Sequence, residues 1–220
     1  MNNGADVNEK TSRDGNTLIH ALKKFNETDV TSNFKERFES SLNILLKRGM
    51  DINVTTYTGH TIFHDILCGS HSKETVKKII QYGGNINQRD VFGYTPLHIC
   101  LSYKDLPENV TYLKNRLEIA EMLMNMGADA DIRTVNKMTL LMIALRGNCP
   151  EHVSLVLNLC PPDVTAVDKF GRTALHHCII KAKELKGLKE DLEESEIKHN
   201  QEIFDMLNTS KMDPDSMSLW

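Results

Sequence analysis

Histidine and cysteine are the residue types in this chain with the most chemistry to offer. His98 stands two positions before Cys100, and His176 and His177 immediately precede Cys178. An imidazole beside a thiol is how a cysteine hydrolase activates its nucleophile. His20, His64, His98 and His176 also fall at one position of a recurring stretch, where they could line up as metal ligands. The nucleophile reading fails on spacing. Side chains two apart on a helix diverge by about 200°, so His98 and Cys100 cannot share a substrate atom. The two additional histidines considered, His177 and His199, have no Asp, Glu or Cys at ligand spacing. A glycine-rich phosphate loop and a pair of acid–base carboxylates are both missing. The expectation is therefore no catalytic residue, no metal ligand and no cofactor, in a chain that is not an enzyme.

What positions these histidines is a repeat. "DGNTLIHAL" starts at Asp14, "TGHTIFHDI" at Thr58, "FGYTPLHIC" at Phe92 and "FGRTALHHC" at Phe170, with a worn copy, "NKMTLLMIA", at Asn136. The aligned threonines Thr17, Thr61, Thr95, Thr139 and Thr173 are spaced 44, 34, 44 and 34. A second motif follows the first three copies as "LLKRGMDIN", "IIQYGGNIN" and "LMNMGADAD", and the chain opens on the tail of another, "NNGADVN". In the third copy Asp90 and Gly93 suit a turn, Thr95 a helix cap and Pro96 the first helical position. Leu97, Cys100 and Leu101 then point into the stack. A second helix over Leu117–Met126 buries Ile119, Leu123 and Met124, and Gly127 ends it.

Two ordered motifs recurring at this period resemble the ankyrin-repeat family, whose unit of about 33 residues carries T-P-L-H-x-A. The resemblance implies an all-α repeat solenoid of stacked helix pairs with β-hairpin or turn fingers. It covers residues 1–210: a partial repeat over 1–12, then about five repeats starting near 13, 57, 91, 135 and 169, with 211–220 as a tail. In this family the repeated histidine ties its finger to the next unit by hydrogen bonds. The opening fragment suggests a piece cut from a longer protein.

Departures from the pattern are informative. Long inserts, "KFNETDVTSNFKER", "YKDLPENVTYLKNR" and "KAKELKGLKEDLEESEIKHN", divide the helices of repeats one, three and five. In a solenoid they belong to loops on one face, the last as helices meeting near Gly187. Repeat four has Lys137 where glycine is expected, Met142 in place of histidine, and "LNLCPPDVTAVD" in place of the Gly-Ala-Asp exit. Pro161 and Pro162 must end its second helix, and it is expected to be the least regular unit.

Bulk properties narrow the classes further. Of 220 residues, 40% are hydrophobic and 25% charged, as in a folded globular chain. A net charge of −4 without a concentrated basic face speaks against nucleic acid. No run is long enough to span a membrane, and the start has no signal-peptide core. Five cysteines without C-x-x-C pairing suit a reducing compartment, cytoplasmic or also nuclear. Sequons occur at Asn26, Asn53, Asn109 and Asn208, but Asn53 is needed at the base of a finger, where a glycan would oppose folding.

Function is expected at the finger tips, which in ankyrin proteins line a concave face with the inner helices. The tip residues are Tyr57 and His60; Val91, Phe92 and Tyr94; Val135 and Met138; and Lys169, Phe170 and Arg172. Tyr103 and Arg146 join them from the helices, with Cys68, Ser102, Ile180 and Lys181 as adjoining floor. Apolar side chains gathered at exposed tips mark a binding surface, and Tyr, Phe and Arg are favoured anchors. The partner is expected to be a protein, with an adaptor or inhibitor role in signalling. Divergent units with long inserts are similar to the ankyrin host-range proteins of poxviruses. A stack of this length is also similar to the inhibitors of Rel-type transcription factors. A nucleotide-like small ligand is a third reading, weakened because the one tryptophan is Trp220. Leu45, Asp51, Ile52 and Asn53 match the family context in which an oxygen-sensing dioxygenase hydroxylates asparagine, which marks Asn53.

Overall fold

The computed structural model describes residues 6–21, 34–68, 73–102, 110–147, 149–160, 163–180 and 205. Residues 24–33 and 103–109 of the first two inserts, Tyr103 among them, the whole third insert with Lys181, and the Pro161–Pro162 pair lie outside these residues. Helices come in pairs: α1 Leu18–Ala21 with α2 Phe34–Lys47, then α3 Ile62–Leu67 with α4 Lys73–Gln81. Next come α5 Pro96–Leu101 with α6 Val110–Asn125, and α7 Leu140–Gly147 with α8 Pro150–Leu159. Residues 174–180 are helical again. The fold is an all-α repeat, and among the described residues no strand occurs. The chain groups into two compact units, Met1–Ile99 and Cys100–Trp220.

The two helices of a pair differ because they meet different surroundings. In α3, "IFHDIL", all six side chains are buried, as expected of a helix with neighbours on every side. Phe63, Ile62 and Ile66 are fully enclosed there, each contributing about 2 kcal/mol of hydrophobic stabilisation. In α4, "KETVKKIIQ", Thr75, Val76 and Ile79 are buried while Lys77 stays in water. α3 is thus enclosed on all sides, whereas α4 buries one stripe.

Polar ties repeat with the same period. In the first unit, Asn8 donates to the Gly49 carbonyl and accepts from Asp51 N–H; Asn53 does the same with Gly83 and Asn85. Adjacent fingers are joined by one backbone bond each, from Tyr57 N–H to Asp14 O at 3.1 Å and from Val91 N–H to Thr58 O at 3.0 Å. In the second unit Lys169 N–H reaches Asn136 O at 2.8 Å. One bond per finger is a tie and not a ladder, so of the hairpin or turn fingers expected, the described residues form turns. After α2, α4 and α6 the backbone closes through Met50 to Leu45, Gly84 to Ile79 and Ala128 to Leu123, each beyond a left-handed glycine.

Repeat four departs from the expectation of irregularity. Its first helix buries seven of eight residues, from Leu140 to Leu145 and Gly147, and Met142 at the histidine position is fully enclosed. Thr139 still caps it by accepting from Met142 N–H. Apolar contact has replaced the polar tie. What the unit lacks is the glycine turn. Gly15, Gly59, Gly93 and Gly171 hold their fingers at φ of 72°, 77°, 81° and 75°, and Lys137 adopts 58° instead. Left-handed backbone costs a side-chain-bearing residue roughly 1–2 kcal/mol, so Lys137→Gly should raise the melting temperature by about 2–4 °C. Calorimetry of the two proteins measures this, and an equal or lower midpoint would show that the lysine turn is unstrained.

Candidate functional site

The repeated histidines settle first, because they stand directly behind the tips. His20 Nδ1 accepts from the Thr17 backbone N–H at 3.2 Å, and His64 Nδ1 from that of Thr61 at 3.2 Å. Their Nε2 atoms then carry the proton and donate to the His60 and Tyr94 carbonyls of the following finger, at 3.1 and 3.2 Å. His98 and His176 face Thr95 and Thr173 in the same way. Each neutral imidazole thus caps its own helix and, in the first two cases, pins the next turn. Burial lowers the pKa of His20 and His64, which keeps them neutral for this task.

Cys100 and Cys149 are held as thiols. All five cysteines are free. Burial, opposed by Arg116, pushes Cys100 up to about 11; burial with the Glu151 carboxylate takes Cys149 to about 12. Thiols in this range are protonated and unreactive at neutral pH. Among the described residues no group of three His, Cys, Asp or Glu side chains is gathered to hold a metal ion. None of the described helices is long and apolar enough to cross a membrane.

The tips are sorted by exposure. Tyr57, Val91 and Phe92 in the first unit are 60%, 52% and 62% exposed. In the second unit, Val135 and Phe170 are 59% and 68% exposed, with Arg146 in water beside them. His60, Tyr94 and Arg172 are half-buried. His60 stacks on His64 and lies 3.4 Å from both Asp65 and Asp90, and the Tyr94 ring meets His98 edge-on. Arg172 lies over Phe170, 4.8 Å from the ring centroid, while its guanidinium binds Asp168 at 2.8 Å. These three hold the tips in shape. Met138, expected on the ridge, is corrected: it is 3% exposed, tucked beneath the turn because Thr134 binds both its N–H and its C=O. The Arg146 guanidinium touches its sulfur at 3.8 Å. Asn53 has both ends of its amide engaged at the finger base.

Asp168 organises the last finger. Its burial raises the carboxyl pKa, but the Arg172 side chain, the Arg172 and Phe170 N–H groups and His177 together bring it down to about 2. His177 Nε2 lies 3.0 Å away, behind the tip. Asp90 plays the same part in the first unit, accepting from Phe92 and Tyr94 N–H.

A recurring Thr–His cap, a carboxylate-closed turn and an asparagine tie at the finger base form one constellation. A protein-family model for ankyrin repeats in three copies matches residues 32–116 and 110–203. The chain belongs to the ankyrin-repeat family. It is 32% identical over 106 residues to an ankyrin repeat protein of Fowlpox virus (strain NVSL), covering 46% of this chain and 28% of that one. An ankyrin repeat protein of Variola virus is 33% identical over 98 residues, 44% of this chain and 15% of its own length. Neurogenic locus notch homolog protein 2 of Homo sapiens is 27% identical over 176 residues, 78% of this chain and 7% of that protein. The chain thus spans well under a third of each relative. Such repeats generally serve protein–protein interaction rather than catalysis.

Two residues escaped the sequence reading. Arg116 is 5% exposed and donates to the Cys100 and Ser102 carbonyls at 2.9 and 3.3 Å, closing the end of α5 where the insert departs. His152 is fully buried, and among the described residues both its ring nitrogens lack a hydrogen-bond partner. Its signal was available: it interrupts the apolar face of "PEHVSLVL".

Proposed function

We propose that this ankyrin chain is an intracellular module that binds a partner protein through its finger tips, as an adaptor or an inhibitor. The observation that carries the reading is the exposure of Tyr57, Phe92, Val135 and Phe170 at the outer ends of turns whose bases are fully bonded. Rigid, exposed apolar side chains make low-entropy anchors, because little ordering is lost on binding.

The test is capture from cell lysate by the wild-type chain, identification of the bound protein, and titration with tip variants. Phe92→Ala should weaken binding roughly 30-fold, since truncating a central anchor costs about 2 kcal/mol and 1.4 kcal/mol is a decade. The fold should be unchanged, because Phe92 touches water. Tyr94→Ala is the poorer probe, since its ring also packs on His98. Normal binding by Phe92→Ala and Phe170→Ala, with loss on deleting residues 182–200, would move the site to the insert. Similarity to two poxvirus ankyrin proteins favours a second reading, sequestration of a host factor by a viral chain, for which the same capture from host cells is the test.

A further inference from the structure

Charge is distributed unevenly over the fingers. The chain carries net −4, yet within 133–139 and 167–173 the ionisable residues are Arg133, Lys137, Lys169, Arg172 and a single acid, Asp168. That acid is buried and bonded to Arg172 and His177, so it presents no free charge at the tip. Arg133 is turned to Asp163, 3.8 Å away. Lys137 and Lys169 are exposed, and among the described residues neither has a carboxylate within ion-pair distance. Arg146, also exposed, adjoins them through its contact with Met138. The two turns are joined by the bond from Lys169 N–H to Asn136 O, which sets both lysines beside Val135 and Phe170. The exposed acids Asp129, Asp131 and Asp163 lie upstream, at the finger bases, where Asp129 accepts from the Asp131 N–H and Asp163 from the Thr165 N–H. Three to five residues of chain separate them from the tips. The first unit's exposed tips, Tyr57, Val91 and Phe92, carry no charge.

Lys137 supplies a second, independent observation. Among the described residues it alone, glycine apart, holds a positive φ. A glycine would relax the turn, as in the other four fingers, and backbone strain is characteristically kept where a side chain is needed.

We propose that the second unit's tips, Val135, Lys137, Lys169 and Phe170 with Arg146, bind an acidic, apolar peptide segment of the partner protein. Its carboxylates meet the three cations, and its large aliphatic or aromatic side chains cover Val135 and Phe170. The inference rests on the finger tips being the binding surface. Charge complementarity selects the sign of the segment and speeds its approach, while the apolar pair supplies most of the affinity.

The experiment uses the full chain as bait for a phage library of random 15-residue peptides, followed by fluorescence anisotropy with the enriched peptides. Expected are sequences rich in Asp and Glu interleaved with Leu, Ile, Phe or Trp. Their affinity should fall about tenfold for Lys137→Glu/Lys169→Glu and about 30-fold for Phe170→Ala, and weaken between 50 and 500 mM salt. Lys137→Gly should melt higher yet bind less tightly, a pairing that a merely structural role would not produce. Enriched peptides that are neutral or basic, or that ignore both lysine reversals while losing affinity in Phe170→Ala, would overturn the acidic-segment inference and leave the tip reading standing. Peptides indifferent to Phe170, Phe92 and both lysines would overturn the two together. Equal binding of a 15-nucleotide thymidine oligomer at the lysines would show a general polyanion surface and also sink the inference.

Discussion

Between pH 6.5 and pH 4, His152 alone should remove about 3 kcal/mol of folding stability. Burial, with the Arg116 guanidinium nearby and only Glu151 opposing, takes its pKa from 6.5 to about 4. Above pH 6.5 the imidazole is neutral in both states and contributes no pH dependence. As pH falls below 6.5 the unfolded chain takes up the proton and the folded one does not, so stability drops until about pH 4, where both are protonated. His20, His64 and His177, all lowered first by burial, act in the same direction. For His20 and His64 a proton on Nδ1 would also face the threonine N–H that the ring now accepts. Asp168 acts in a separate window: its stabilisation is present above 3.8 and is lost as pH falls toward 2. Urea unfolding from pH 7.5 to 4.5, followed by circular dichroism, tests the histidine part. His152→Leu should be at least as stable as wild type at pH 7.5, because two unpartnered ring nitrogens disappear. It should also lose most of the acid slope. An unchanged slope in the variant would assign the acid sensitivity elsewhere.

Arg116→Ala is expected to destabilise the protein by about 3 kcal/mol, lowering its melting temperature by roughly 6–12 °C. The residue donates to two carbonyls at the C-terminal end of α5, where a helix leaves acceptors without intrahelical partners. A cation there also offsets the negative end of the helix dipole. In a short-loop ankyrin unit the next residues close that end. Here Arg116, reaching from α6, closes it. Arg116→Lys should recover little, because an ammonium lacks the fork that reaches both carbonyls. The two predictions are coupled: without Arg116 the His152 pKa rises, so the acid slope of Arg116→Ala should be shallower than that of wild type. A stable Arg116→Ala protein with the wild-type slope would refute both the capping role and the coupling.

The amino-acid sequence by itself determined the repeat. Local rules suffice for that: threonine caps, proline at the first turn, glycine where φ is positive, and apolar residues at helical spacing. The Thr–His and Asp–turn motifs are short-range, so their bonds from Thr61 to His64 and from Asp90 to Tyr94 follow from spacing alone. The aromatic tips were legible for the same reason, because a turn's outer residues have little to bury against. Packing decided the rest. Met138 and Phe92 both flank a turn, and only contacts from Thr134 and Arg146 put one inside and leave the other in water. Repeat four read as damaged because its lost polar signals are easy to see, whereas the burial of seven residues in α7 depends on neighbours remote in sequence. Arg116 went unread at the end of an insert, since nothing local says that it closes another helix 16 residues away. The charge of the second unit's tips likewise needed the tertiary structure. Sequence counts Asp168 as an acid equal to any other, and only its enclosure by Arg172 and His177 removes it from the surface, leaving Lys137 and Lys169 as exposed charges of those tips.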